Sequence, residues 1–241
     1  MTDFVQLWVY LASTPLFGLT ATLVVYVGAH ALYSRLNHAA WANPVLVSVV
    51  VLASGLALSG VAYPAYFSGA QFIHFLLGPA VVALGLPLWL RRQELMRHGA
   101  RLLIAALLGG AAAAASAAAL AWALDLPHDV LLSLVPKSVT APVAMGVAQA
   151  IGGVPALAAV FAVVTGMVGA LSGQYLFHAL GLGHTAKDRR IGGFALGTAA
   201  HGIGAARAMQ VDADAGAYAG LGLGLQVLLA SVLLPMVIRW W

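Results

Sequence analysis

The sequence has no cysteine among its 241 residues, which excludes a disulfide framework, a thiol nucleophile and a zinc–thiolate site. Charge is almost as scarce: 7% of residues are charged and 62% are hydrophobic, against roughly 25% and 45–50% in a soluble domain. Eleven Lys and Arg with seven Asp and Glu cannot cover a water-soluble globule of this length, so most of the exterior faces lipid. Catalytic signatures are missing too. There is no GxxxxGK[ST], no HExxH and no pair of acidic residues inside one apolar segment. The Gly220 to Gly224 stretch lacks the strand and the acidic residue of a dinucleotide site. An enzyme is therefore not expected, nor a metal or cofactor. The net charge of +4 comes from short basic clusters between apolar runs, which suits membrane orientation and not a nucleic-acid partner. No Lys or Arg precedes Arg35, so the first apolar stretch lacks the basic region of a cleaved signal peptide and is expected to remain.

What is present is a series of apolar runs of the length a bilayer requires, about 20 residues each. Eight are read: Phe4 to Leu36, Pro44 to Ala62, Gln71 to Leu90, Leu102 to Leu124, Val130 to Ala150, Val154 to Leu180, Ile191 to Met209 and Ala215 to Trp241. None alternates apolar and polar residues as barrel strands do. The expected fold is an all-α polytopic membrane protein, one domain over residues 1–241, with about seven or eight transmembrane segments.

Positive residues favour the cytoplasmic face. Arg35 and the Arg91 to Arg101 group fall inside if the N-terminus is outside. The Lys187 to Arg190 cluster and Arg239 then also fall inside only if the fifth segment dips in and returns. Pro136 and Pro142 support that, because each removes a backbone donor and disfavours helix before it. Segments broken at Gly78-Pro79 and at Pro136 to Pro142 resemble discontinuous transporter helices, and the threading suits an inverted repeat. The expected location is a bacterial cytoplasmic (inner) membrane, N-terminus outside and C-terminus inside.

Most charges sit at segment ends; the exceptions that stand out inside apolar segments are Lys137, titratable His201 and, nearer a segment end, Arg207. A Lys or Arg at the bilayer centre costs about 2.5–3.5 kcal/mol and usually faces a cavity or a partner. Lys137, Ser138 and Thr140 gather a cation, two hydroxyls and freed amides between two prolines, the ingredients of an anion cradle. The structural alternative is a lysine that snorkels to an interface beside two capping hydroxyls. In Gly197 to Arg207, Gly197, Gly202 and Gly204 flank His201. An imidazole there binds an anion or shuttles a proton, or else is a neutral packing group bonded to a backbone carbonyl in a tightly packed helix. Arg207 is read as a charge partner of this group.

Asn43-Pro44-Val45-Leu46, Phe75 to Ala80, Pro136 to Met145, Ile151-Gly152-Gly153-Val154-Pro155 and Gly197 to Gly204 resemble, in order, the motifs of the LrgB/CidB family. Ala141 and Ala200 depart from it where many relatives carry hydroxyls. The resemblance implies two functions. One is a holin/antiholin-like regulator of murein hydrolase activity and autolysis, working beside an LrgA- or CidA-like membrane subunit. The other is a carrier of small monocarboxylates: glycolate or glycerate, as in the plastid relatives, or pyruvate, as in some bacterial pairs. The residues favour the carrier, since one lysine among hydroxyls between broken helices suits a stoichiometric anion site. Lys137, Ser138, Thr140, Thr198, His201 and Asn43 are the expected substrate residues. Gly78, Pro79, Pro136, Pro142, Gly152, Gly153, Gly197, Gly202 and Gly204 are the expected helix-break positions. The expected partners are membrane lipid, a small carboxylate, the LrgA-like subunit and a second copy of the chain in a dimer.

Overall fold

The computed structural model describes residues 16–36, 39–76, 79, 82, 85–182 and 185–239. Among them are ten α-helices and no strand, and the chain divides near residue 80 into two compact units. Four helical stretches are long and apolar enough to cross a membrane: Leu16–Arg35, Met96–Ala123, Pro155–Ala179 and Ala213–Ile238. Gly78 and the start of the first apolar segment lie outside the described residues.

The first unit holds α1 (Leu16–Arg35), α2 (Pro44–Ser59) and α3 (Tyr63–Phe75). Asn43 starts α2 by accepting from the Val45 and Leu46 amides at 2.9 and 3.4 Å, with Pro44 in the first turn, where its missing N–H costs nothing. Gly18 lets α1 lie against the Tyr66 carbonyl of α3. Thr22 Oγ1, which donates to Gly18 O, accepts from the Tyr66 hydroxyl at 2.8 Å across that contact.

The second unit comprises α4 (Gly85–Leu90), α5 (Arg92–Ala123), α6 (His128–Leu134), α7 (Ala141–Ile151), α8 (Pro155–Ala179), α9 (Ala186–Val211) and α10 (Ala213–Ile238). The fifth apolar segment folds as a helical hairpin, as the proline pair predicts. From α6 the chain continues through tight turns, Lys137 N to Leu134 O and Val139 N to Pro136 O, and reverses at Thr140. Pro142 sits in the first turn of α7 and leaves it unbroken. Gly152, at φ 92°, ends α7 in the left-handed conformation that glycine adopts without strain. The chain then stands beside its starting point: the Val154 amide donates to Ser133 Oγ at 2.7 Å, and a Cβ on Gly153 would lie 2.9 Å from the Ser133 backbone nitrogen.

The seventh apolar segment is a second hairpin, which overturns its reading as a crossing. A straight 26-residue helix would span about 39 Å, yet Arg189 Nε near its start lies 3.2 Å from Asp212 just past its end. The reversal falls at Ala200 and His201, whose backbone leaves the helical region (φ −118°, ψ 16° and φ 43°, ψ −136°). Residues 186–199 form a first arm, α9a, and residues 202–211 a returning arm, α9b. Gly204 on α9b accordingly packs against the Leu196 carbonyl of α9a, 2.7 Å from a Cβ built at Gly204.

Small residues set how closely these pieces approach. Along α8, Gly166, Gly169 and Gly173 meet His201, Ala200 and Leu196 in turn, so α8 runs antiparallel to α9a. Gly193 and Gly197 lie against the Ala215 and Ala219 carbonyls, so α10 runs parallel to it. A side chain at Gly197 would overlap the Ala219 backbone. That glycine therefore serves packing, and the helix breaks three residues later.

Ion pairs gather the starts of α5, α9 and α10 at one end: Arg91–Glu94, Arg91–Asp214, Arg189–Asp212 and Arg190–Asp214, with the Tyr218 hydroxyl donating to Glu94. Asp212 also caps α10 by accepting from Ala215 N, and Thr185 with Asp188 forms a capping box at α9. At the opposite end, Ile238 of α10 packs with Ala121, Leu131 and Leu132 near Asp125 and Asp129. Arg239 thus lies at the end away from Arg189 and Arg190. The expectation that these clusters share one face fails because α9 folds back and leaves α10 one more crossing to make.

Candidate functional site

The two hairpins enter from opposite ends and touch at their tips. Thr140 Cγ2 lies 3.9 Å from the position of a Cβ on Gly202. His201 is twelve residues beyond Arg189, about 18 Å along α9a, which is near half the thickness of a bilayer core of about 30 Å. The breaks in the fifth and seventh segments therefore meet deep in the protein.

Two helix N-termini converge there, those of α7 and α9b. Each carries unsatisfied amides and roughly half a positive charge. Thr140 occupies the N-cap of α7 but makes no side-chain capping bond, and its Oγ1 is buried without a partner. Lys137, three residues earlier, is partly buried, and its ammonium makes no hydrogen bond or ion pair among the described residues. None of the seven acidic residues falls within 130–187 or 189–211. The tips thus combine two helix ends and a cation with no carboxylate to neutralise them, an arrangement that attracts a small anion.

The remaining predicted residues separate into different environments. Ser138 is 5% exposed and its unpartnered hydroxyl lines a cavity that Lys137 does not line. Thr198 donates to Phe194 O at 2.9 Å and is wedged between Gly109 of α5 and Gly222 of α10. His201 is 3% exposed, with Nε2 2.6 Å from the Ala162 carbonyl. A carbonyl only accepts, so Nε2 carries the proton, and the ring pins the tip of the second hairpin to α8. The packing interpretation of this histidine therefore describes its contact. Asn43 caps α2 in the first unit. Arg207 turns away from the tip: it donates to Gln174 Oε1 at 3.1 Å and borders a cavity of about 490 Å³ at the arginine end. Among the expected break positions, Pro136 is fully buried in the first hairpin's turn, and Pro79 is exposed.

One residue that sequence reading passed over joins this region. Gln226 of α10 is 6% exposed, its Oε1 has no partner, and its carboxamide lies over Gly110 of α5, where any side chain would collide with it. The available signal was a lone carboxamide in the middle of an apolar run that spans a membrane.

The sequence model of the LrgB-like family matches residues 22–240. The chain is 32% identical over 189 residues to the uncharacterized protein YxaC of Bacillus subtilis, covering 78% of this chain and 80% of that one. It is 27% identical over 217 residues to a holin-like protein CidB of Staphylococcus epidermidis, covering 90% and 93%. No solved structure gives a significant match. With its apolar crossing helices and its two motif-bearing hairpins, the chain is a membrane protein and belongs to the LrgB-like family.

Proposed function

We propose that the chain is a carrier for a small hydroxy- or keto-monocarboxylate. The observation that carries this reading is the contact between two hairpin tips, Thr140 against Gly202. It brings together two helix N-termini, an unpartnered hydroxyl and the uncompensated Lys137. The carboxylate sits between the ends of α7 and α9b and pairs with Lys137, while Thr140 bonds an oxygen of the substrate. Unwound backbone at this depth is tolerated where it lines a substrate path. In support, α5 with the first hairpin and α8 with the second run in opposite senses, the pattern of an inverted repeat that rocks around a central site. The arginine end faces the cytoplasm of the bacterial inner membrane by the positive-inside rule. The working unit is a dimer alongside an LrgA-like subunit.

Uptake of labelled pyruvate, glycolate or glycerate into proteoliposomes tests the reading. Lys137→Ala removes a charge-assisted contact of about 1.5–3 kcal/mol, so uptake should fall roughly ten- to hundredfold. Undiminished uptake by that variant would remove the assignment.

The printed name of the Staphylococcus epidermidis relative, a holin-like protein, favours a second reading, a pore or regulator of autolysis. That reading predicts leakage of bulky dyes from liposomes, whereas a carrier stays dye-tight.

A further inference from the structure

Between α5, the first hairpin and α10 lies a cavity of about 470 Å³, within the usual size range of small-molecule sites. Its walls are alanine, glycine, leucine and valine, together with Pro136 and Ile238, and no ionisable side chain lines it. Two polar side chains interrupt that lining, Ser138 and Gln226. Both are more than nine-tenths buried, and Ser138 Oγ and Gln226 Oε1 have no hydrogen-bond partner. A buried acceptor left unpaired costs about 1–3 kcal/mol, which a ligand carrying a donor removes.

The chemistry of the occupant follows from these groups. Gln226 Oε1 requires a donor, and the Ser138 hydroxyl either gives or takes a hydrogen bond. A charged head would lose its hydration here with no counter-charge to replace it, so the head is neutral. A hydroxyl satisfies both groups. Beyond Gln226 the cavity follows α10 through Leu229, Leu233 and Val237 to Ile238, about 18 Å at 1.5 Å per residue, with only apolar atoms along the way. On α5 the facing wall is one helix face, Ala106, Gly110, Ala114 and Ala118 with Leu107, Ala111 and Ala115 beside them, a run of mostly small side chains along which one alkyl chain lies.

We propose that this cavity binds an uncharged, single-chain amphiphile with a hydroxyl head, the hydroxyl on Gln226 and Ser138 and the tail along α10 toward Ile238. The site is separate from the carboxylate site and does not rest on the carrier reading. Because Ser138 follows Lys137 directly, occupancy ties the turn of the first hairpin to α10.

The test uses the full chain in phosphatidylcholine nanodiscs and a photoreactive ten-carbon alcohol, with 1-decanol, decanoate and decane as competitors and mass spectrometry to locate the label. Labelling is expected on peptides containing residues 106–118 and 226–238, with 1-decanol competing at a concentration at least tenfold below decanoate or decane. In Gln226→Met, which keeps the volume and removes the acceptor, that advantage should shrink to less than threefold. Ser138→Ala serves as the milder second variant and should reduce it in the same direction. Label spread over exposed apolar residues away from the cavity, such as Val160 and Val168 of α8, would overturn the proposal. So would decane competing as well as 1-decanol, or a preference for the alcohol that survives in both variants.

Discussion

His201 offers a substitution series in which ordinary helix rules reverse. Its side chain contributes a 2.6 Å bond to the Ala162 carbonyl in a 3% exposed position. Its backbone, at φ 43° and ψ −136°, occupies a region that costs a non-glycine residue about 1–3 kcal/mol. His201→Ala removes the bond, worth about 0.5–1.5 kcal/mol net, and leaves a cavity against Gly166 while keeping the backbone strain. His201→Gly makes the same losses and relieves the strain. In an ordinary helix interior, glycine is about 1 kcal/mol worse than alanine. Here glycine should be better by about 1–2 kcal/mol. The two expectations differ by about 2–3 kcal/mol, an easily measured gap in reversible unfolding from mixed micelles or in melting temperature by scanning fluorimetry. If His201→Gly proves less stable than His201→Ala by the ordinary helical margin, then α9 is continuous at this point and the second hairpin does not exist.

Other substitutions probe the packing that holds the hairpins. Gly197→Ala forces a Cβ into the Ala219 backbone and should lower stability by at least about 2 kcal/mol, in the range of overpacked cores; Gly146→Ala on α7, with open space around it, should stabilise by about 0.5–1 kcal/mol, both read from unfolding curves. Asp212→Asn keeps the cap on α10 and loses only the half-exposed pair with Arg189, so its cost should stay below about 1 kcal/mol, whereas Asp212→Ala should cost about 1 kcal/mol more through loss of the cap. Ser133→Ala deprives the half-buried Val154 amide of its acceptor and should destabilise by about 1 kcal/mol, accompanied by faster amide exchange at Val154.

The fold was legible wherever it depends on composition and on prolines. Membrane class, helical class and the reversal at Pro136 to Pro142 all follow from residue chemistry within a few positions. The second reversal was not legible, because an apolar run of some twenty residues reads the same whether it crosses once or folds into two arms. Its glycines drew attention to residues 197–204, but Gly197 packs against Ala219 and Gly204 against Leu196, pairings that hydropathy does not encode. The charge at Arg239 misled for the same reason: one miscounted crossing moves every later charge to the other face. Lys137 and Thr140 emerged from the sequence because an unpartnered cation and hydroxyl beside prolines are local signals. Gln226 did not, since its significance comes from Gly110, more than a hundred residues away, and from the cavity between them.

The meeting of the two hairpin tips can be measured in the native membrane, and the absence of cysteine makes the measurement clean. In the double variant Thr140→Cys and Gly202→Cys, the introduced thiols are the only ones present. The geometry, with 3.9 Å between Thr140 Cγ2 and a Cβ at position 202, predicts rapid disulfide formation under mild oxidation, slowed by pyruvate, glycolate or glycerate and accompanied by loss of uptake. If the pair stays reduced while a control pair at Gly109 and Thr198, 3.3 Å apart by the same measure, closes, the tips do not meet and the shared anion site is wrong.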